Sequence, residues 1–255
     1  NKTIYQNAYV RTDSFFDNSP LSSTGLPSDA ELKLLNPWKD QIPSEIFTDT
    51  FTPPKTDGSG NARENLLQAK EILQEEGWII KNDKLTKDGQ EFKFEFLIVS
   101  PSDEKIALAY QSNLKKLGIT MEVRTVDSSQ YQARLLNYDF DMIKRYWGVS
   151  LSPGNEQQFY WGSEVGKKDG SRNYPGINSP AVDALIEKLI SAKNREELTT
   201  AIHALDRVLL WGHYVVPLYH SNKDRIAYWD FFEYPEKIPL YGIVIESWWV
   251  NKDKQ

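Results

Sequence analysis

The chain has 255 residues, 40% hydrophobic and 26% charged, with a net charge of −6, and its 30 Lys and Arg are interleaved with 36 Asp and Glu. That length buries a real core, as one large domain or two small ones, and the acidic balance argues against a nucleic-acid surface, which needs clustered cations. The absence of cysteine excludes disulfides, zinc–thiolate sites and cysteine nucleophiles, and no run of about 18 apolar residues is present to span a membrane.

The opening Asn1-Lys2-Thr3-Ile4-Tyr5 is polar, with no initiator Met and no signal peptide, so a processed protein or an excised piece of a longer one is expected. Residues 1–60 read as mostly irregular, punctuated by Asn18-Ser19-Pro20, Gly25-Leu26-Pro27, Pro53-Pro54 and Asp57-Gly58-Ser59-Gly60. One short helix fits Asp29–Leu35 with Ser28 as its cap. An irregular stretch this long either wraps the domain or belongs with a region outside it.

From Asn61 the pattern becomes regular. An amphipathic helix over 61–76 carries Leu66, Ala69, Ile72 and Leu73 on one face and stops at Gly77, and a small hairpin turns at Asn82-Asp83. Phe92, Phe94, Phe96 and Ile98 alternate along a strand over 92–99. A helix over 102–117 ending before Gly118, a strand over 119–126, a helix over 128–136 and a strand over 140–147 complete the run. This alternation, with short connections, predicts an α/β layer: a mixed sheet with packed helices. Residues 148–177 are rich in Gly, Ser, Asn and aromatics with little hydrophobic period. Two long helices then span 179–192, with Ser179 as cap and Pro180 at the first position, and 195–211, with Asn194 and Glu197 as a capping pair. A short β segment at 214–219 leads to an irregular end. The domain reading is therefore an N-terminal segment 1–60, an α/β lobe 61–220 and a C-terminal segment 221–255.

Ligands in open α/β domains sit at the carboxyl ends of the strands. The strand ending at Trp147 leads into a polar loop, 148–156, where Ser150, Ser152 and Asn155 are short hydrogen-bonding groups suited to a peptide backbone, and Trp147, Tyr160 and Trp161 are candidate walls for varied side chains. Gly170-Ser171-Arg172-Asn173-Tyr174 is a second candidate. Arg172 either forks onto a ligand carboxylate or pairs with a local acid such as Asp169. Arg207, mid-helix beside Asp206, reads as structural. Among His203, His213 and His220 no pair has metalloprotease spacing, no nucleophile elbow or phosphate loop is present, and Asp139 and Asp141 at a strand start are a weak carboxylate pair. A binding protein without cofactor or metal is expected, with a carbohydrate-binding or carbohydrate-active domain as the alternative, since Trp and Tyr platforms also suit sugar rings.

The strand 92–99, Gln111 and Leu114, Leu117-Gly118-Ile119, Glu122-Val123, Phe140-Asp141-Met142, Trp147, the run Ser179–Ile186 and Val216-Pro217-Leu218-Tyr219 together resemble family 5 extracellular solute-binding proteins, the peptide receptors of ABC importers. Phe15–Ser19, Ser23–Ser28, Gly170–Tyr174 and Leu205–Leu209 resemble the Yej-type branch, whose members are oligopeptide receptors that also take up peptide-linked antibiotics. The resemblance implies the C-terminal lobe of a type II periplasmic-binding-protein-like fold. It also implies an extracytoplasmic, periplasmic location, a peptide ligand, an N-terminal lobe of the same protein closing over it, and an ABC permease and ATPase complex as partners. Relatives place an Asp shortly after the Trp, against the ligand's α-amino group. Ser150 stands at that position here, so the ligand's amino end is expected to be blocked, shifted, or bound by Glu156.

Overall fold

Alternation along the central strand builds the sheet layer. In the computed structural model, which describes residues 2–239 and 242–254, the elements in chain order are α1 (Lys2–Tyr5), β1 (Val10–Arg11), α2 (Asp29–Leu35), α3 (Glu45–Thr48), α4 (Arg63–Glu75), β2 (Ile79–Lys81), β3 (Lys84–Lys87), β4 (Gln90–Glu91), β5 (Lys93–Ile98), α5 (Pro101–Lys115), β6 (Thr120–Thr125), α6 (Ser128–Leu136), β7 (Met142–Ile143), α7 (Glu156–Trp161), α8 (Ser163–Gly166), α9 (Pro180–Ile190), α10 (Arg195–Trp211), β8 (Tyr219–His220), β9 (Phe232–Glu233) and β10 (Trp249–Val250). Asn1, Leu240, Tyr241 and Gln255, which fall in the expected terminal segments, lie outside the described residues.

Strands β6, β5 and β7 form a parallel sheet in that order. Phe96 and Ile98 of β5 point to one face and bury against Ala107 and Leu114 of α5, while Leu97 points to the other and buries against Tyr131 and Leu135 of α6. The two crossover helices therefore cover opposite faces. Each starts on a side-chain cap: Ser100 accepts from the Ser102 N–H, and Asp127 accepts from the Ser129 and Gln130 N–H groups. The α/β class is as expected. Parallel and antiparallel pairing both occur, but in separate sheets rather than one mixed sheet: β2-β3-β4, β1-β8 and β9-β10 are antiparallel ribbons of their own.

The expected strand over 140–147 is reduced to Met142–Ile143. Its ladder is cut short because the Asp141 carboxylate takes the Glu95 N–H at 2.8 Å, and the Lys144 carbonyl accepts from the Tyr131 hydroxyl at 3.3 Å. The stretch read as aperiodic holds two short helices, α7 and α8, and α7 packs on α9. The short β segment expected over 214–219 lies instead at Tyr219–His220, overlapping it only at Tyr219, and pairs with Val10–Arg11.

A second core lies between α9 and α10, where Val182, Leu185, Ile186 and Leu189 meet Ala201, Ile202, Leu205 and Leu209. The irregular N-terminal segment completes it with Phe16, Leu21, Leu35 and Ile46, all at most 1% exposed. Burial of each such side chain is worth roughly 1.5–3 kcal/mol, so this segment is held as firmly as a helix would be. Polar groups fix its path. Asp206, fully buried on α10, accepts from Ser14 Oγ (2.8 Å), Phe15 N (2.8 Å), Ser23 N (2.9 Å) and Ser23 Oγ (2.7 Å). Burial pushes the Asp206 carboxyl up, and the bonds from Ser23, Ser14 and Phe15 oppose it. Arg207 donates to Glu31 Oε2 at 2.6 Å and to the carbonyls of Thr24, Gly25 and Leu26. Arg207 is thus a buried structural clamp.

Candidate functional site

The carboxyl ends of β5, β6 and β7 open on one edge of the sheet, and the segments leaving these strands meet there. After β5 comes Asp103, in the first turn of α5; after β7 comes Lys144. Lys144 Nζ lies 2.5 Å from Asp103 Oδ1. Burial would lower the Lys144 ammonium, but the bond and charge of Asp103 outweigh it and push it up. Lys144 also lies over the Tyr219 ring, 5.8 Å from its centroid, and Tyr219 packs with Tyr5 and Tyr9 at centroid distances of 4.7 and 4.6 Å. The Tyr5 and Tyr219 hydroxyls are 2.9 Å apart; burial, then this bond, pushes the Tyr5 phenol up. The sequence pattern singles out none of Asp103, Lys144, Tyr5, Tyr9 and Tyr219 as site residues. The position of Asp103 just after a strand is the one signal that points to it.

The next residue, Arg145, places its guanidinium 4.9 Å from the centre of the Tyr174 ring and donates to the Tyr174 hydroxyl at 3.4 Å. Tyr174 in turn packs against Tyr138 and Phe140. Its loop is anchored from below. Asn173, with 0% exposure, donates to the Gly162 and Ile177 carbonyls and accepts from the Ile177 N–H, while Ser171 bonds the Tyr138 hydroxyl. Arg172 points outward, exposed, with no ion pair or hydrogen bond among the described residues, to Asp169 or any other group.

Trp147 is half-buried, with its ring centre 4.9 Å from that of Trp161, and its indole nitrogen is buried without an acceptor among the described residues. Trp161 is 2% exposed and donates to Gln157 Oε1 at 2.9 Å; Phe15 and Tyr160 pack on its other sides. Ser150, Ser152 and Asn155 are exposed along the loop, and Ser150 Oγ accepts from the Ser152 N–H at 3.1 Å. Glu156 is occupied locally: one oxygen accepts from the Gly154 N–H at 2.9 Å and the Gln157 amide at 3.3 Å. The loop is pinned to α10 by a bond from Arg195 to the Leu151 carbonyl. The ten residues expected from sequence thus fall in two sets. Trp147, Ser150, Ser152, Asn155, Glu156, Tyr160, Arg172 and Tyr174 reach the surface, whereas Trp161 and Asn173 lie beneath it with their polar atoms bonded inside the chain. Asp139 and Asp141 are spent on Arg134 and the Glu95 N–H.

Two cavities, of about 280 and 290 Å³, lie elsewhere, between α4 and the β2–β3 hairpin and beside Gly60–Arg63. Both include Leu117, near the amino end of β6, so they open at the opposite end of the sheet from Trp147. Among the described residues no helix is long and apolar enough to cross a membrane.

The chain is 48% identical over 252 residues to an uncharacterized protein, y4wM, of Sinorhizobium fredii, covering 98% of this chain and 38% of that protein. It is 42% identical over 255 residues to a probable peptide-binding protein, YejA, of Agrobacterium fabrum, covering 99% of this chain and 42% of that one. The chain therefore spans about two fifths of the length of these relatives. Its fold matches the oligopeptide-binding protein AppA of Bacillus subtilis, solved with a nonapeptide, at a TM-score of 0.63 and 22% identity over 98% of this chain and 44% of AppA. Residues 1–169 match the family described as bacterial extracellular solute-binding proteins, family 5 Middle, and the chain belongs to that family.

Proposed function

We propose that this chain forms one wall of a peptide-binding cleft in a longer extracytoplasmic receptor, which closes over oligopeptides and hands them to an ABC permease and its ATPase. The observation that carries this reading is the platform at the carboxyl ends of β5 and β7, where Trp147, Tyr160 and Tyr174 reach the surface on a frame of buried partners. Aromatic walls with short polar groups between them suit a ligand whose backbone is constant and whose side chains vary. The peptide-binding designation of the Agrobacterium relative supports it.

In this reading the contacts are made by Trp147, Ser150, Ser152, Asn155, Tyr160, Arg172 and Tyr174, with Trp161 and Asn173 as supports behind them. Glu156, engaged with its own loop, is a weaker anchor for an ammonium than a free carboxylate. Residues 61–220 act as the ligand-binding lobe. The C-terminal segment returns toward the first lobe, which fits its exposed Tyr228, Trp229, Ile238, Ile245 and Trp249. Closure of the two lobes by hinge motion sequesters the peptide.

The test is calorimetry on the full-length protein with tri- to hexapeptides and, in parallel, oligosaccharides. Peptides are expected to bind, and Trp147→Ala to weaken them at least tenfold. Binding of saccharides alone overturns the reading in favour of a carbohydrate receptor.

A further inference from the structure

The charged groups around the platform differ in whether they are engaged. Carboxylates near it are engaged, with one exception: Asp103 by Lys144, Asp127 by the first turn of α6 and Glu156 by the Gly154 N–H. The exception, Asp169, is exposed and pairs with neither nearby arginine. The other unengaged groups are donors. Arg145 sits over Tyr174, 4.9 Å from the ring centre, bonding only its hydroxyl and Tyr131, with no carboxylate partner among the described residues. Arg172, two residues before Tyr174, has no partner at all among the described residues. Trp147, two residues after Arg145, holds a buried indole N–H without an acceptor among them. An arginine stacked on an aromatic ring keeps its fork of N–H groups in a fixed plane, held in place to receive a planar carboxylate through two bonds. A buried donor left without an acceptor is a cost to the fold.

We infer that this site selects anionic peptides, with Arg145 and Arg172 flanking Tyr174 to hold a ligand carboxylate. The inference rests on the peptide-receptor reading and names the class of peptide. It also gives a physical sense to Ser150: a site whose free groups are donors gains nothing from an acid that would compete for them.

The experiment measures affinities of the full-length protein for matched pentapeptides that differ only in a central Glu, Gln or Lys, and in a C-terminal acid or amide. In the wild type the acidic forms are expected to bind at least tenfold more tightly than their neutral isosteres, and the Lys peptide most weakly. The ratio of acidic to neutral affinity should fall to near one in Arg145→Gln/Arg172→Gln, and Arg145→Lys should retain part of it. Far-ultraviolet dichroism and the thermal midpoint identify variants that fold. Equal affinity of acidic and neutral peptides in the wild type overturns this inference while leaving the peptide receptor standing, as does a ratio that survives in the folded double variant. Failure of every peptide to bind overturns both.

Discussion

At the scale of single residues, Glu31 shows how a buried charge is made useful. It is 5% exposed, yet it takes bonds from Arg207 Nε at 2.6 Å and Ser28 Oγ at 3.0 Å, and His203 Nδ1 lies 3.7 Å away. Burial alone would raise its pKa, but the His203 and Arg207 bonds and the guanidinium charge override it and hold the carboxyl at about 2, against an ordinary 4.5. A carboxyl whose pKa is depressed by folding contributes stability that is present above its unfolded value and is lost as pH falls from 4.5 towards 2. The gap corresponds to about 3 kcal/mol at most. His203 runs the other way. The bond to Glu31 raises it above 6.5, so its contribution is full below 6.5 and is lost as pH rises through the raised value. Urea unfolding of wild type and Glu31→Gln from pH 7 to pH 2 is expected to show a large gap at pH 5–6 that closes below pH 3. Asp206, common to both chains, drops out of the difference.

At the scale of elements, the hairpin depends on a backbone approach at Gly118. This residue has φ +77°, and a Cβ there would stand 2.7 Å from the Leu85 N, the group that donates to the Gly118 carbonyl at 2.8 Å. Gly118→Ala therefore meets both left-handed strain and a backbone clash. It is expected to cost about 2 kcal/mol or more, with faster amide exchange confined to β2–β4. The same scale shows what the sequence can disclose. Helices α5, α6, α9 and α10 are legible because cap and apolar stripe fall within one window, as with Asn194, which accepts from the Glu197 N–H at 2.9 Å. The length of strand β7 is not legible, since it is set by Phe96 and Leu97, some 46 residues away, and by the Asp141 carboxylate. Helix α7 carries no signal of its own and takes shape against α9. In the site, Trp161 and Asn173 have the residue types of a cleft, but residue type does not encode depth. The Lys144–Asp103 pair joins two strand ends that only the fold brings together.

At the scale of the whole molecule, two cores are built by different means. The sheet unit buries Phe96, Leu97 and Ile98 between its crossover helices, while the helix pair α9–α10 is completed by a segment with little regular structure. That segment and α10 are joined by contacts 176 to 192 residues apart: Glu31 to Arg207, and Ser14 to Asp206. The stretches 15–19, 23–28 and 205–209, which separately resemble the Yej-type branch, therefore form one bonded assembly. For recombination between relatives, this makes residues 10–35 and 195–211 a single portable unit, though most of the chain separates them. Transplanting the first stretch alone from a relative that lacks the Ser14, Ser23 and Glu31 partners should lower the thermal midpoint by several degrees. Transplanting both together should restore it, so the crossover points of a viable chimera are dictated by Asp206 and Arg207 rather than by any break in the sequence.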